Sequence, residues 1–425
     1  MQLNVQIRHF FVWLHRWTGL ALAGFLVIVG LTGSLLAFNT ELERLISPQL
    51  FAQPHPGASR LDLATLAERA EAFAPQARVE GVYDSLPDQI AVEVSPRKDP
   101  TTGEAYALGF NQIFLDPWTG EALGKRMRGD ISEGWINLMP FIYRIHWELA
   151  LGPTGMWILG IAAIIWTLDC FNGFYLTLPI ALTAFWRRWK PSWLVKTRAG
   201  FFRVNFDLHR AGGLWLWPML LIFAWSSVMM NVKPVYIWAT WGVFGGESPW
   251  AVYFNSPPRL IEEPRLDWRT AQETGERLLA EQAALHGFAI DHASGLNYIA
   301  SLGFYGYSAH SSLDVATRGG DTSVLIDSET GALRSVDLPT GRQSGATVTS
   351  WLYALHMANV FGMPYRIFVC VLGLAITMLS ATGVYIWWKK RCARRAAAAR
   401  SPLPANVEAA ATWPSPAALA PPRLD

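Results

Sequence analysis

Four apolar stretches constrain this chain most: roughly residues 17–39, 154–182, 212–233 and 363–388. About 20 apolar residues in a helix cross a bilayer's hydrocarbon core. Lipid satisfies no backbone polar group, so stretches of this kind must be helical. The third is the weakest, because Pro218 and the Ser226-Ser227 pair interrupt it. Such breaks are tolerated where neighbouring helices satisfy the freed backbone. Charged residues make up only 16% of the chain and hydrophobic ones 51%, yet mean hydropathy is a mild +0.19. That combination excludes a disordered chain, argues against a purely soluble enzyme, and fits spans mixed with soluble polypeptide. A net charge of +2 provides no field for nucleic acid. Cys170, Cys370 and Cys392 form neither a metal motif nor a disulfide framework. Arg8 and Arg16 precede the first apolar run, which is too long for a signal core and has no small-residue cleavage site, so it reads as a retained anchor.

Basic residues set the orientation. The 186–210 loop carries Arg187, Arg188, Lys190, Lys196, Arg198, Arg203 and Arg210, and Lys389, Lys390, Arg391, Arg394 and Arg395 follow the fourth stretch. Both regions belong on the cytoplasmic side, with both termini, of a bacterial inner membrane. The two long intervening segments then lie in the periplasm. The expected division is 1–39 (N-terminal segment and first span), 40–145 (first periplasmic domain), 146–186 (outer histidine helix and second span), 187–211 (basic loop), 212–233 (third span), 234–350 (second periplasmic domain), 351–391 (outer histidine helix and fourth span) and 392–425 (disordered tail). Both periplasmic segments read as α+β. Residues 61–73 and 268–286 have helical periodicity, QIAVEVS (89–95) and TSVLID (322–327) alternate like strands, and DPWTG (116–120) and DSETG (327–331) are turns.

An internal repeat organises these parts. HRWTGL at 15–20 matches HRAGGL at 209–214, and His15 precedes Gly33 by the same 18 residues that separate His209 from Ser227. HWELALG at 146–152 matches HMANVFG at 356–362, and NGFY at 172–175 matches TGVY at 382–385. The chain therefore reads as two copies of one unit: span, outer α+β domain, span. Both copies run in the same direction, so a pseudo-two-fold axis along the membrane normal is expected. The fold class is an α-helical membrane protein with four transmembrane helices and two periplasmic α+β domains.

Four of the nine histidines fall on the repeat. His15 and His209 sit at the cytoplasmic ends of spans one and three. His146 and His356 sit on the outer approaches to spans two and four, each followed by a break, at Gly152-Pro153 and at Gly362-Met363-Pro364. Paired neutral imidazoles at both faces of a helical bundle suit axial ligation of b-type haem. A planar group on a two-fold axis takes equivalent ligands, which predicts an inner haem between His15 and His209 and an outer one between His146 and His356. The 27 residues from His146 to Gly173 correspond to about 40 Å of helix, enough for a site at each face. The competing reading is four interfacial histidines copied together by duplication. Arg16 and Arg210 follow the inner histidines, where they either pair with haem propionates or anchor the cytoplasmic side; both readings stand. Gly24, Gly33, Gly160, Gly173, Gly373 and Gly383 either leave room for a porphyrin face or serve close helix packing.

His55, His286, His292 and His310 share no spacing rule and read as surface residues, with His310, in the aromatic run 303–310, the one candidate for substrate contact. His9 has no counterpart in the second half. No nucleotide-binding signature is present, so electrons must come from a separate cytoplasmic reductase or a membrane quinol.

These motifs, in this order, resemble the PepSY-associated transmembrane family over about residues 8–391. Members are similar to inner-membrane ferric-siderophore reductases that hold two b-type haems in a four-span bundle. The resemblance implies that the outer segments are PepSY-like modules and that His15, His146, His209 and His356 are the haem ligands. One departure is Ser226-Ser227, where the first copy has Thr32-Gly33. The function expected is a membrane oxidoreductase that carries electrons through two haems to a ferric siderophore in the periplasm. One alternative is a PepSY-type protein that regulates a periplasmic protease or binds peptide. A second is a siderophore or iron permease, for which four spans are few and no buried carboxylate pair offers a coupling site.

Overall fold

The computed structural model describes residues 2–400, with side chains described for residues 6–398. Helix α1 (Gln2–Leu36) is followed by α2 (Asn39–Ile46) and α3 (Leu63–Phe73). Strands β1 (Ala77–Leu86), β2 (Gln89–Pro96), β3 (Gln112–Leu115) and β4 (Ala122–Arg126) precede α4 (Leu138–Glu148) and α5 (Pro153–Thr177). Then come α6 (Phe185–Trp189), α7 (Phe201–Trp215), α8 (Trp217–Asn231), α9 (Lys233–Phe244), α10 (Ala251–Asn255) and α11 (Trp268–His286). Strands β5 (Ile290–Ile299), β6 (Phe304–Ser311), β7 (Thr322–Asp327) and β8 (Leu333–Asp337) lead to α12 (Ser344–His356) and α13 (Gly362–Arg400).

Among the described residues, three helices are long and apolar enough to cross a membrane: Gln6–Leu36, Pro153–Thr177 and Gly362–Ala398. A fourth crossing exists only if α7 and α8, bent by 67° at their junction, count as one broken span. The single helix expected over 212–233 is thus two. Pro218 lies in the first turn of α8, where its missing N–H costs nothing; further inside a helix it clashes with the preceding turn. The uncovered faces are apolar, with Ile161, Leu168, Phe171, Val371 and Leu374 exposed as lipid-facing residues are. α13 continues through residues 392–400, where a disordered tail was expected; its Ala- and Arg-rich sequence is a strong helix former. Residues 401–425 of that tail lie outside the described residues.

α1 and α13 cross at glycine. A Cβ on Gly373 would lie 2.4 Å from the Gly30 carbonyl oxygen, and one on Gly30 would lie 2.7 Å from that of Gly373. Only glycine lets the two backbones approach this closely.

The two outer segments each supply a capped helix and four strands. Asp62 accepts a hydrogen bond from Thr65 N at the start of α3, and Asp267 accepts one from Thr270 N at the start of α11, both at 2.8 Å. In the two Asp-x-x-Thr-Gly turns, Asp116 and Asp327 bond the amides two and three residues on, and Gly120 and Gly331 adopt φ of 72° and 70°. The strands join one antiparallel sheet in the order β4-β3-β2-β1-β5-β6-β7-β8. Its seam is the β1–β5 pairing, with Val82 opposite Leu296. α3 and α11 cover one face through a core that includes Leu66, Ala67, Ala271, Leu279, Val82, Val92 and Ile326. The other face roofs a cavity over the membrane helices.

Asp337 ends β8, partly buried, and its carboxyl is pushed up to about 7 by burial and by Asp321 and Asp314. Asp321 is pushed up to about 6 by burial and by Asp314. Both bind their protons more tightly in the folded state. The stability they contribute is complete below the unfolded carboxyl range and is lost as pH rises through 6 and 7. The sheet should therefore melt at higher temperature at pH 5.5 than at pH 8, by about 2 kcal/mol of stability. Asp337→Asn should flatten that dependence in a thermal melt.

Candidate functional site

The helices bring the four repeat histidines together as two facing pairs. The His146 and His356 ring centroids lie 6.3 Å apart, beneath the sheet. Those of His15 and His209 lie 6.2 Å apart, in the N-terminal half of α1. Every imidazole is held by an element other than its own. His146 ends up against α1 because α4 stops at left-handed Leu149 and Ala150, and α5 restarts at Pro153 after Gly152, also at positive φ. α12 is followed in the same way by left-handed Ala358 and Phe361 before α13 begins at Gly362, itself at positive φ. Left-handed Leu, Ala and Phe residues are costly, and here they turn the chain beside a histidine in each half.

The ring protons follow from the hydrogen bonds. His209 Nδ1 lies 3.0 Å from the Leu379 carbonyl oxygen, which can only accept. His15 Nδ1 lies 2.9 and 3.0 Å from the two Asp169 carboxylate oxygens, which also accept. Thr32 Oγ1 donates its one proton to Ile28 O at 2.7 Å, so it accepts from His146 Nδ1 at 2.9 Å. Ser226 Oγ likewise donates to Ile222 O at 2.7 Å and accepts from His356 Nδ1 at 2.6 Å. All four rings thus carry hydrogen on Nδ1, which in a neutral imidazole leaves the lone pair on Nε2. Among the described residues no Nε2 of the four has a hydrogen-bond partner. This is how proteins prepare histidine to ligate a metal, the second nitrogen fixed by a carboxylate, carbonyl or hydroxyl.

Glycines sort by role. A Cβ on Gly33, Gly173 or Gly383 would lie 3.0, 3.4 or 3.1 Å from Cε1 of His146, His15 or His209 respectively, so these three make room for the rings. Gly373 and Gly160 serve packing, against α1 and against Asn231 and Val232, and Gly24 faces open space. The cavity at the sheet-side pair measures about 560 Å³. Leu22, Leu26, Val29 and Leu372 line its apolar floor, and Gln89, Gln112, Arg126 and Arg128 its polar roof. Its size and mixed lining suit an organic cofactor.

Of the two arginines that follow the distal histidines, Arg210 is committed, with Nη2 bonded to Asp207 Oδ1 at 2.8 Å and to Pro191 O at 2.6 Å. Arg16 makes no ion pair among the described residues. Of the remaining histidines, His9 is exposed, and His55 pairs with Asp116 at 3.2 Å. His292 and His310 stack on each other.

Asp169 is the functional residue that sequence reasoning missed. It is buried in α5, bonded to His15, Thr18 and Asn172. The signal was present, since it is the lone acid of an apolar stretch, and an intramembrane carboxylate is rarely without a role. Thr382, the first residue of the TGVY motif, has its hydroxyl 3.1 Å from His209 Nδ1.

No curated protein matches the chain. The family described as the PepSY-associated TM region matches residues 12–390, nearly the whole chain. The chain therefore belongs to that family and is a multi-pass membrane protein.

Proposed function

We propose that the protein is a transmembrane electron carrier with two b-type haems, one at each histidine pair, that reduces a ferric siderophore on the periplasmic side. The observation that carries this reading is the spacing of the paired rings. An imidazole nitrogen sits about 2 Å from a metal it ligates, and about 1.2 Å from its own ring centroid. Two imidazoles on opposite sides of one iron therefore place their centroids about 6.4 Å apart. The observed 6.2 and 6.3 Å match that requirement. The free Nε2 lone pairs and the glycines beside three of the rings support it independently.

Bound haem supplies a one-electron Fe(III)/Fe(II) couple at each pair. The protein's own residues do the rest. Asp169, Leu379 O, Thr32 and Ser226 hold each ring by its Nδ1–H. Asp169 is the one carboxylate among these acceptors, and its hydrogen bond to the His15 Nδ1–H strengthens that ring as a donor at Nε2. The rise along α1 from His15 to Thr32 is about 26 Å. It is shorter than the 40 Å expected, since α4 and α5 are separate helices, yet still leaves one site near each face. Arg16, uncommitted, is available to a propionate beside the distal pair, and Arg126 and Arg128 roof the other. Reduction releases iron because hard-oxygen chelators hold Fe(II) more weakly than Fe(III). The four-span bundle with two related halves belongs to this reading, supported by the matched turns, caps and histidine anchors. The electron donor is a separate cytoplasmic reductase or a quinol.

Two sets of variants test it. His146→Ala should lose one haem and His15→Ala the other, each leaving about one haem per chain by pyridine haemochrome assay. Loss of both haems from either change contradicts two separate sites. Asp169→Asn should raise the midpoint potential of one haem and leave the other unchanged in a redox titration, since a less basic axial ligand favours Fe(III) less. Equal shifts in both haems, or none in either, contradict the assignment of Asp169.

A further inference from the structure

The geometry points to a divalent transition-metal site formed by Asp291, His292 and His310, on the sheet and apart from the four paired histidines. One ligand atom from each of the three residues lies within 4.8 Å of the others. The strand register creates this convergence. His292 is paired with His310 across β5 and β6, and their rings stack at 5.4 Å between centroids. Consecutive strand residues ordinarily face opposite sides. Here the register slips between Ile290 and His292, and this bulge carries the Asp291 carboxylate round to the side of the rings.

The protonation of His310 gives the second argument. Its Nε2 lies 3.2 Å from the Ala316 carbonyl oxygen, so Nε2 carries the hydrogen and donates. In the neutral ring Nδ1 then carries a lone pair. That nitrogen is buried without a hydrogen-bond partner and lies 3.5 Å from Asp291 Oδ2. The same carboxylate oxygen lies 3.1 Å from His292 Nδ1. A lone pair facing a carboxylate is a repulsive arrangement, and a cation between them converts it into two ligand bonds.

The supporting shell is built as metal sites are built. The loop that supplies the Ala316 carbonyl is pinned by Asp314. Its carboxylate accepts from Ser311 N and Asp321 N at 2.8 and 2.6 Å, and from the Ser311 and Thr322 hydroxyls at 3.0 and 2.8 Å. Asp314 and Asp321 also add negative potential. Two imidazoles with one carboxylate select zinc, iron or a similar first-row ion over magnesium or calcium. Three protein ligands leave coordination positions to water, so the ion is exchangeable. Thr317 of the same loop bonds the Asn359 carbonyl oxygen at 2.9 Å, three residues beyond His356. Resting on the redox reading for this step alone, the ion held there is the Fe(II) that leaves the reduced chelate.

Calorimetric titration of the tag-free full chain with Zn²⁺ is the test, with Mg²⁺ and the His292→Ala variant as references. His292 is exposed, so its replacement leaves the fold intact. We expect one saturable Zn²⁺ site, weakened at least tenfold in His292→Ala and Asp291→Asn. The zinc X-ray absorption spectrum should show two imidazoles. Mg²⁺ should not compete, and the visible spectrum should be the same in wild type and variants. Zn²⁺ binding that is absent, or equal in wild type and His292→Ala, or displaced by Mg²⁺, overturns the site. A colourless protein that still binds Zn²⁺ in this way overturns the redox reading and leaves the site standing.

Discussion

Four hydrogen bonds from histidine Nδ1 organise the membrane part of this protein. Each crosses from one helix to another: α1 to α5 through Asp169, α7 to α13 through Leu379 and Thr382, α4 to α1 through Thr32, and α12 to α8 through Ser226. They tie the helices together and at the same time leave every Nε2 lone pair free. A hydrogen bond made only for stability could use either nitrogen. Four rings held the same way round, in two facing pairs, are better explained by what the other nitrogen is kept for. The surrounding devices serve that arrangement, including the left-handed turns beside His146 and His356 and the glycines against the rings.

The sheet matters to this arrangement as a roof. Had the two outer segments folded as independent units, each would have left an edge strand at the centre of the molecule. Pairing β1 with β5 removes both inner edges, and the β1–β4 half of the sheet lines the cavity at the sheet-side pair. Asp337, Asp321 and Asp314 cluster towards the β8 end, where desolvation and mutual repulsion hold two of the carboxyls protonated at mildly acidic pH.

Much of this was legible because matched motifs recur at matched spacings in the two halves of the sequence. The matched motifs picked out all four histidines and the glycines at 33, 173 and 383 without any structural knowledge. Helical and alternating periodicities located α3, α11, β2 and β7. What stayed hidden depends on contacts between distant parts of the chain. No local pattern shows that β1 pairs with β5, or that Asp169 reaches across to His15. His292 and His310 looked unrelated because only the β5–β6 register places them side by side. The break at Leu216 was signalled by Pro218 in the first turn of α8, but no local pattern gives its 67° bend.

On the proposed reading, each of the two imidazole pairs holds a haem iron. Haem quantitation and a dithionite-reduced visible spectrum of the wild-type protein test it most directly. The expected result is about two b-type haems per chain, low-spin in both oxidation states. A folded, colourless protein, or one haem per chain at full occupancy, contradicts it.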